Sequence, residues 1–344
     1  MLNIIRNYFL WPTIISVVVV ALIGYHLGLS SLFIVLTLVV LEVTLSFDNA
    51  IVNARVLERM TPKWRHRFLT WGILLAVFGT RFVLPILIIS IATWASPAVI
   101  TKLAISDPAG YGELLHGVHG QITAFGALFL LMVALRYFFD QSKQLYWFKP
   151  AERVMAKWGN VESISIGISL VLLLIFSFIS HDASRESILT AGLVGIILFL
   201  VVEALARSLD KKPEALAVGG ASLFIYLETL DTAFSLDGVI GAFALTNNLV
   251  IIAAGLGIGA LFVREFTLYL VKQKTLAELI YLEHGAHWAI LGLSLAMLAN
   301  LVTEVPEYVI GLIGLCFIVL AYISSKKENG RKEKSEKVEE GAVM

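Results

Sequence analysis

The run Glu42-Val-Thr-Leu-Ser46-Phe-Asp48-Asn49-Ala-Ile and the run Asp231-Thr-Ala-Phe-Ser235-Leu-Asp237-Gly238-Val-Ile align without a gap on the pattern acid-x-x-x-Ser-x-Asp. Each is embedded in an apolar stretch long enough to cross a bilayer, which takes roughly 20 residues. Two more pairs follow in the same order. Gly72 and Arg81, nine residues apart, lie in the apolar stretch after the first run, and Gly255 and Arg264, nine apart, lie in the stretch after the second. His116-Gly-Val-His119 opens the next stretch, and His284-Gly-Ala-His287 opens its counterpart. Three ordered matches make this an internal repeat, and the repeat decides the fold.

Working outward, the 344 residues are 58% hydrophobic and only 15% charged, with a mean hydropathy of +0.85. An ordinary soluble domain carries about 25% charged residues, so a water-soluble globular chain is excluded. Cutting at charges and turn residues leaves ten apolar spans, near 10–29, 31–53, 69–93, 120–140, 163–181, 187–206, 215–241, 248–271, 284–302 and 306–324. No small-x-small cleavage pattern follows the first, so it is read as a retained helix. Of the 26 Lys and Arg, Arg81 and Arg264 fall inside spans, Lys102 and Arg185 fall on one side, and the remaining 22 fall on the other. Basic residues collect in cytoplasmic loops. Both termini are therefore expected in the cytoplasm, with the chain in the inner (plasma) membrane of the cell. Corresponding spans are five apart, and an odd offset reverses their direction. The expected architecture is all-α and polytopic, an inverted five-plus-five repeat: residues 1–183 with motif helix 31–53, residues 184–325 with motif helix 215–241, and a charged, disordered tail over 326–344. Inverted repeats of this kind build secondary transporters with a midplane site between the halves.

At 1.5 Å per residue, Glu42 lies near the centre of its span and Asp231 slightly past the centre of its own, with Asp48 and Asp237 about 9 Å further toward opposite sides. On an unbroken helix Glu42, Ser46, Asn49 and Asn53 share one face, as do Glu228, Asp231 and Ser235. Asp48 and Asp237 would point roughly 120° away from those faces. Either the helices unwind near the motif or the two acid positions have different jobs. Two intramembrane Arg can neutralise only some of Glu42, Asp48, Glu228, Asp231, Asp237 and Glu265, and an unpaired buried carboxylate protonates or binds a cation. Tethering an acid is the expected task of Arg81 and Arg264. His116 and His284 read as interfacial caps, whereas His119 and His287, one turn deeper, are candidates for coupling. The balanced charge leaves no excess for nucleic acid. The single Cys316 allows no internal disulfide or thiolate cluster.

The two acidic runs, with an intramembrane Arg on the helix after each, resemble the TerC family of integral membrane proteins, named for tellurium resistance and including Alx-like members. The likeness covers the helices from about residue 31 to 303, and the paired HGxH motifs set the chain in a less characterised branch. The resemblance implies export of Mn²⁺ by a fold distantly similar to LysE-type exporters and calcium/proton exchangers. Carried over residue by residue, it makes Asp48, Asn49, Asp231 and Asp237 the metal ligands, with Glu42 beside them. Gly238 stands where a Ser or Asn ligand is expected. Glu228, Ser46, Ser235, His119, His287, Arg81 and Arg264 remain for coupling or gating.

Ligand chemistry points the same way. Carboxylate, amide and hydroxyl oxygens suit Mn²⁺ or Ca²⁺, whereas Zn²⁺ or Cu⁺ would want Cys, Met or clustered His. The alternatives are an intramembrane metal-dependent enzyme and an assembly factor for other membrane proteins. No HExxH or GxSxG is present, and the acids are duplicated symmetrically, so no enzyme activity and no resident cofactor are expected. The partners are a divalent ion, exchanged for protons, and the lipid bilayer.

Overall fold

A chain with little water around its peptide groups has to satisfy them internally, and this one does so as helix. The computed structural model describes the backbone of residues 8–72, 75, 79, 83–159, 163–180, 185–210, 219–273, 278–303 and 305–343. Within these, side chains are described except at 84, 92, 206–210, 219, 235–237, 240, 244, 307, 308, 310 and 332–343. The elements are α1 (Leu10–Leu27), α2 (Leu29–Leu45), α3 (Phe47–Arg59), α4 (Pro62–Arg67), a π-helical turn (Phe68–Gly72), α5 (Leu84–Thr93), α6 (Pro97–Ser106), α7 (Pro108–Gly117), α8 (His119–Phe138), α9 (Lys149–Trp158), α10 (Ile164–Ile179), α11 (Arg185–Asp210), α12 (Gly219–Leu245), α13 (Leu249–Lys272), α14 (Leu282–Asn300) and α15 (Glu307–Val343). The described residues include no strand.

Helix falls within every one of the ten apolar stretches. Among the described residues, four helices are long and apolar enough to cross a membrane: α1, α8, α11 over Arg185–Leu205, and α13. The bent pair α2 and α3 makes a fifth if it is one span. The chain is thus a helical membrane protein.

α8 is the hub. It is buried along nearly its whole length and packs against α11, α12 and α14. Phe129 of α8 meets Phe199 of α11 edge to face at 5.8 Å. α13 runs against α2, and there two glycines decide the distance. A Cβ at Gly255 would stand 2.5 Å from Leu38 Cβ, and one at Gly259 would stand 2.5 Å from Glu42 Cγ. Small residues let membrane helices approach closely, and this approach delivers Glu42 into the space between α2 and α13.

One feature settles for the first motif a point the sequence reading left open, the unwinding near the motif, and two depart from that reading. The first motif helix breaks at Ser46 (φ −99°, ψ 9°), and α2 and α3 diverge there by 49°, whereas the second motif lies in the uninterrupted α12. The tail expected to be disordered is helical backbone that continues α15 to Val343. Its Lys, Glu, Arg and Ala are strong helix formers, and Arg331 pairs with Glu328 at i, i+3. Helices also form outside the ten stretches, at α4, α6, α7 and α9.

Candidate cation site between the two motif helices

A cavity of about 60 Å³ lies where α2, α3, the π-helical turn, α12 and α13 meet, with Glu42, Ser46, Asn49, Asn53, Gly72, Asp231, Arg264 and Thr267 among its walls. The Ser46 break redirects the chain so that one polar face continues around the bend. Ser46 donates through Oγ to Glu42 Oε1 at 3.1 Å. Across the cavity, Asp231 Oδ1 accepts from Asn49 Nδ2 at 2.5 Å and from Asn53 Nδ2 at 2.8 Å. Glu42, Asn49 and Asn53 are all buried.

The amide nitrogens are used on Asp231, which leaves the carbonyl oxygens. Asn49 Oδ1, Asn53 Oδ1 and Glu228 Oε1 are buried without a hydrogen-bond partner. Glu228 lies against Gly72, where any side chain would displace its carboxyl. Buried oxygens without a donor cost roughly 1–3 kcal/mol each. Hard oxygens gathered around two carboxylates, Glu42 and Asp231, suit a hard divalent cation, whose two charges they would balance. The volume matters too: a liquid water occupies about 30 Å³, so the space is of the size of an ion with a water beside it.

Arg264 forms part of the wall but is engaged elsewhere. Its Nε and an η nitrogen donate to the Leu69 carbonyl at 3.0 and 2.8 Å, and it pairs with its neighbour Glu265. Leu69 lies in the π-helical turn, a geometry that frequently marks functional positions. Arg264 therefore ties α13 to the turn rather than to a motif acid.

Of the residues singled out in the sequence, Glu42, Ser46, Asn49, Asp231 and Arg264 come together here, with Glu228 beside them. Asp48 does not. It is buried, but its Oδ1 accepts from the Asn49 backbone N–H at 2.9 Å, outside the cavity wall. Ser235 and Asp237 have helical backbone, but their side chains, like the whole of Arg81, lie outside the described residues. Among the described residues, no three His, Cys, Asp or Glu side chains converge on one metal position, so the donor set there is two carboxylates completed by amide and hydroxyl oxygens. His119 opens α8 away from this cavity. Sequence reasoning placed Asn53 on the right face without making it a site residue, and Thr267 carried no signal.

The two HGxH motifs have different surroundings. His116 is exposed at the end of α7, whereas His284 and His287 are buried. His287 borders a second cavity of about 700 Å³ that gathers Arg55, Arg59, Arg136, Lys143, Glu203 and Glu283. Its ring stacks on Tyr137 at 3.5 Å and its Nδ1 lies 2.8 Å from the Glu283 carbonyl. Arg55 pairs with Glu283 at 3.0 Å, and Arg136 with Glu203 at 2.5 Å. Burial pulls the Lys143 amine down to about 7, against the pull of Glu152, Glu283 and Asp140.

Residues 47–332, most of the sequence, match a family described as protein of unknown function, DUF475. The chain belongs to the DUF475 family. No curated protein and no solved structure matches it. The DUF475 match begins at Phe47, so it takes in Asn49, Asn53, Asp231 and Arg264, while Glu42 and Ser46 precede it.

Proposed function

We propose that the chain is a secondary transporter that exports a divalent metal ion, Mn²⁺ foremost, in exchange for protons through the Glu42 and Asp231 cavity. The observation that carries this is the set of buried, unpartnered oxygens of Asn49, Asn53 and Glu228 around two carboxylates drawn from both halves of the chain. The TerC-like acidic runs supply the choice of Mn²⁺ among hard cations. Proton exchange belongs to the proposal because a divalent ion and protons compete for the same carboxylate oxygens.

The inverted ten-helix repeat belongs to the same proposal. Its support lies in packing that recurs on exchange of the halves: α8 against α12 has its mate in α14 against α3, α1 against α2 has its mate in α11 against α12, and α8 meets α14 directly. Gly72 and Gly255, partners in the repeat, each admit a side chain from the other half's motif helix, Glu228 and Leu38.

Two measurements test this reading. Mn²⁺ titrated into the purified chain should lose its free-ion electron paramagnetic resonance signal until one equivalent is bound, and acidification should release it; no depletion of the signal would remove the site. Reporter fusions after residues 60, 150 and 335 should read cytoplasmic, and those after 105 and 247 external. A cytoplasmic reading at 247 would set both motif helices in one direction and end the inverted repeat.

A further inference from the structure

The helix α9 follows α8 and precedes α10, both apolar, and only part of its surface is used by the bundle. Glu152 and Ala156 turn inward and are buried. Glu152 accepts from the Trp147 and Phe148 backbone N–H groups at 3.1 and 3.2 Å and from Trp288 Nε1 at 2.9 Å, and His284 Nδ1 stands 2.9 Å away. Those contacts fix the roll of the helix. Lys149, Arg153 and Lys157 then recur every four residues along one exposed flank. Val154 and Trp158, 51% and 55% exposed, point roughly 120–160° around from Glu152 by the 3.6-residue turn.

Among the described residues, none of the three cations makes an ion pair; Arg153 lies only over the Tyr146 ring at 5.9 Å. Exposed Trp and Val are unfavourable toward water, and three bare cations are unfavourable in hydrocarbon. One environment accommodates both, the boundary between headgroups and acyl chains. We propose that α9 is a lipid-binding helix that selects anionic phospholipids: Lys149, Arg153 and Lys157 pair with headgroup phosphates while Trp158 and Val154 enter the acyl boundary. Each basic side chain near an anionic surface gives about a fivefold preference, so the three act as a selective patch. This holds whether or not the chain carries a cation.

The test uses the full chain in nanodiscs of mixed phosphatidylcholine and phosphatidylglycerol, with bromine on the acyl chains of one lipid or the other at equal mole fraction. Subtracting the emission of Trp158→Phe isolates the Trp158 signal. Brominated phosphatidylglycerol should quench it several-fold more than brominated phosphatidylcholine, and 1 M salt, where the screening length falls to about 3 Å, should shrink the difference. The combined variant Lys149→Gln, Arg153→Gln, Lys157→Gln should remove the difference and keep the quenching; Arg153→Glu alone should halve it or more if the combined variant does not fold. No quenching by either lipid would place this face in water or against a protein partner. Equal quenching in the parent chain, or a difference that survives in the variants, would overturn the headgroup selection.

Discussion

Asp231→Asn should lower Mn²⁺ flux in proteoliposomes by about a hundredfold or more while leaving a folded, membrane-inserted chain. Asparagine keeps the shape of the side chain but removes one of two carboxylates in the cavity. Its Oδ1 can still accept from the Asn49 and Asn53 amides, which converge on Asp231 Oδ1, so the change isolates the loss of charge and of one oxygen donor. Even outer partners of a metal cost 10–100-fold when altered, and a charged group in the proposed ligand set stands above that range. Asp48→Asn is the informative comparison. The TerC-like resemblance makes Asp48 a ligand, but its carboxylate bonds the Asn49 backbone away from the cavity, so the change in flux should stay below about tenfold. Loss of transport in Asp48→Asn with normal transport in Asp231→Asn would reverse the assignment.

The second large effect concerns stability and lies at Glu152. Four donors or charges converge on this buried carboxylate: the Trp147 and Phe148 amides, the Trp288 indole and the His284 imidazole. Glu152→Ala leaves them facing nothing, at a cost of about 3–5 kcal/mol on the scale of broken buried pairs, and α9 should detach. Thermal unfolding in detergent and limited proteolysis after residue 140 would read this directly. The pH dependence has a definite sign. Burial alone would push the Glu152 carboxyl up, but the hydrogen bonds from His284 and Trp288 outweigh it and hold the group below its ordinary 4.5. A carboxyl lowered in the folded chain contributes stability that is complete above the unfolded value and is lost as pH falls through the folded one. The gap between parent and Glu152→Gln should therefore be full at pH 7 and close below about pH 4.5. A gap that widened in acid would show that the pair does not hold the ionised carboxylate.

The polar face of the site was legible in the sequence because it obeys helical arithmetic. Glu42, Ser46, Asn49 and Asn53 were placed on one face by spacing alone, and the same spacing turned Asp48 away from it, as the cavity shows. The helices were legible because a run of apolar residues long enough to cross a bilayer leaves few other options. The spacing left open that the motif helices unwind, but did not show that the break falls at Ser46 and in the first motif alone, since serine on its own is common inside membrane helices; the Ser46 hydroxyl there bonds the Glu42 carboxylate one turn back. In the π-helical turn, Arg264 captures the Leu69 carbonyl from 195 residues away, a contact that no local window contains. The histidine pairs look alike in sequence and differ in place, because only His284 has Glu152 and Trp288 folded over it. The role of α9 was hidden for the same reason: its charges read as a solvated loop until the buried Glu152 fixed which face is left outside.

In the proposed function the carboxylates of this cavity trade a divalent metal for protons. The direct measurement is Mn²⁺ movement in proteoliposomes of the full chain that carry a pH-sensitive dye, at clamped membrane potential, with Ca²⁺ and Mg²⁺ as competing ions. An imposed Mn²⁺ gradient should drive protons the opposite way, an imposed pH gradient should accelerate Mn²⁺ flux, and both responses should vanish together in Asp231→Asn. Mn²⁺ flux that is identical with and without the pH gradient, or proton movement that persists in Asp231→Asn, would contradict it.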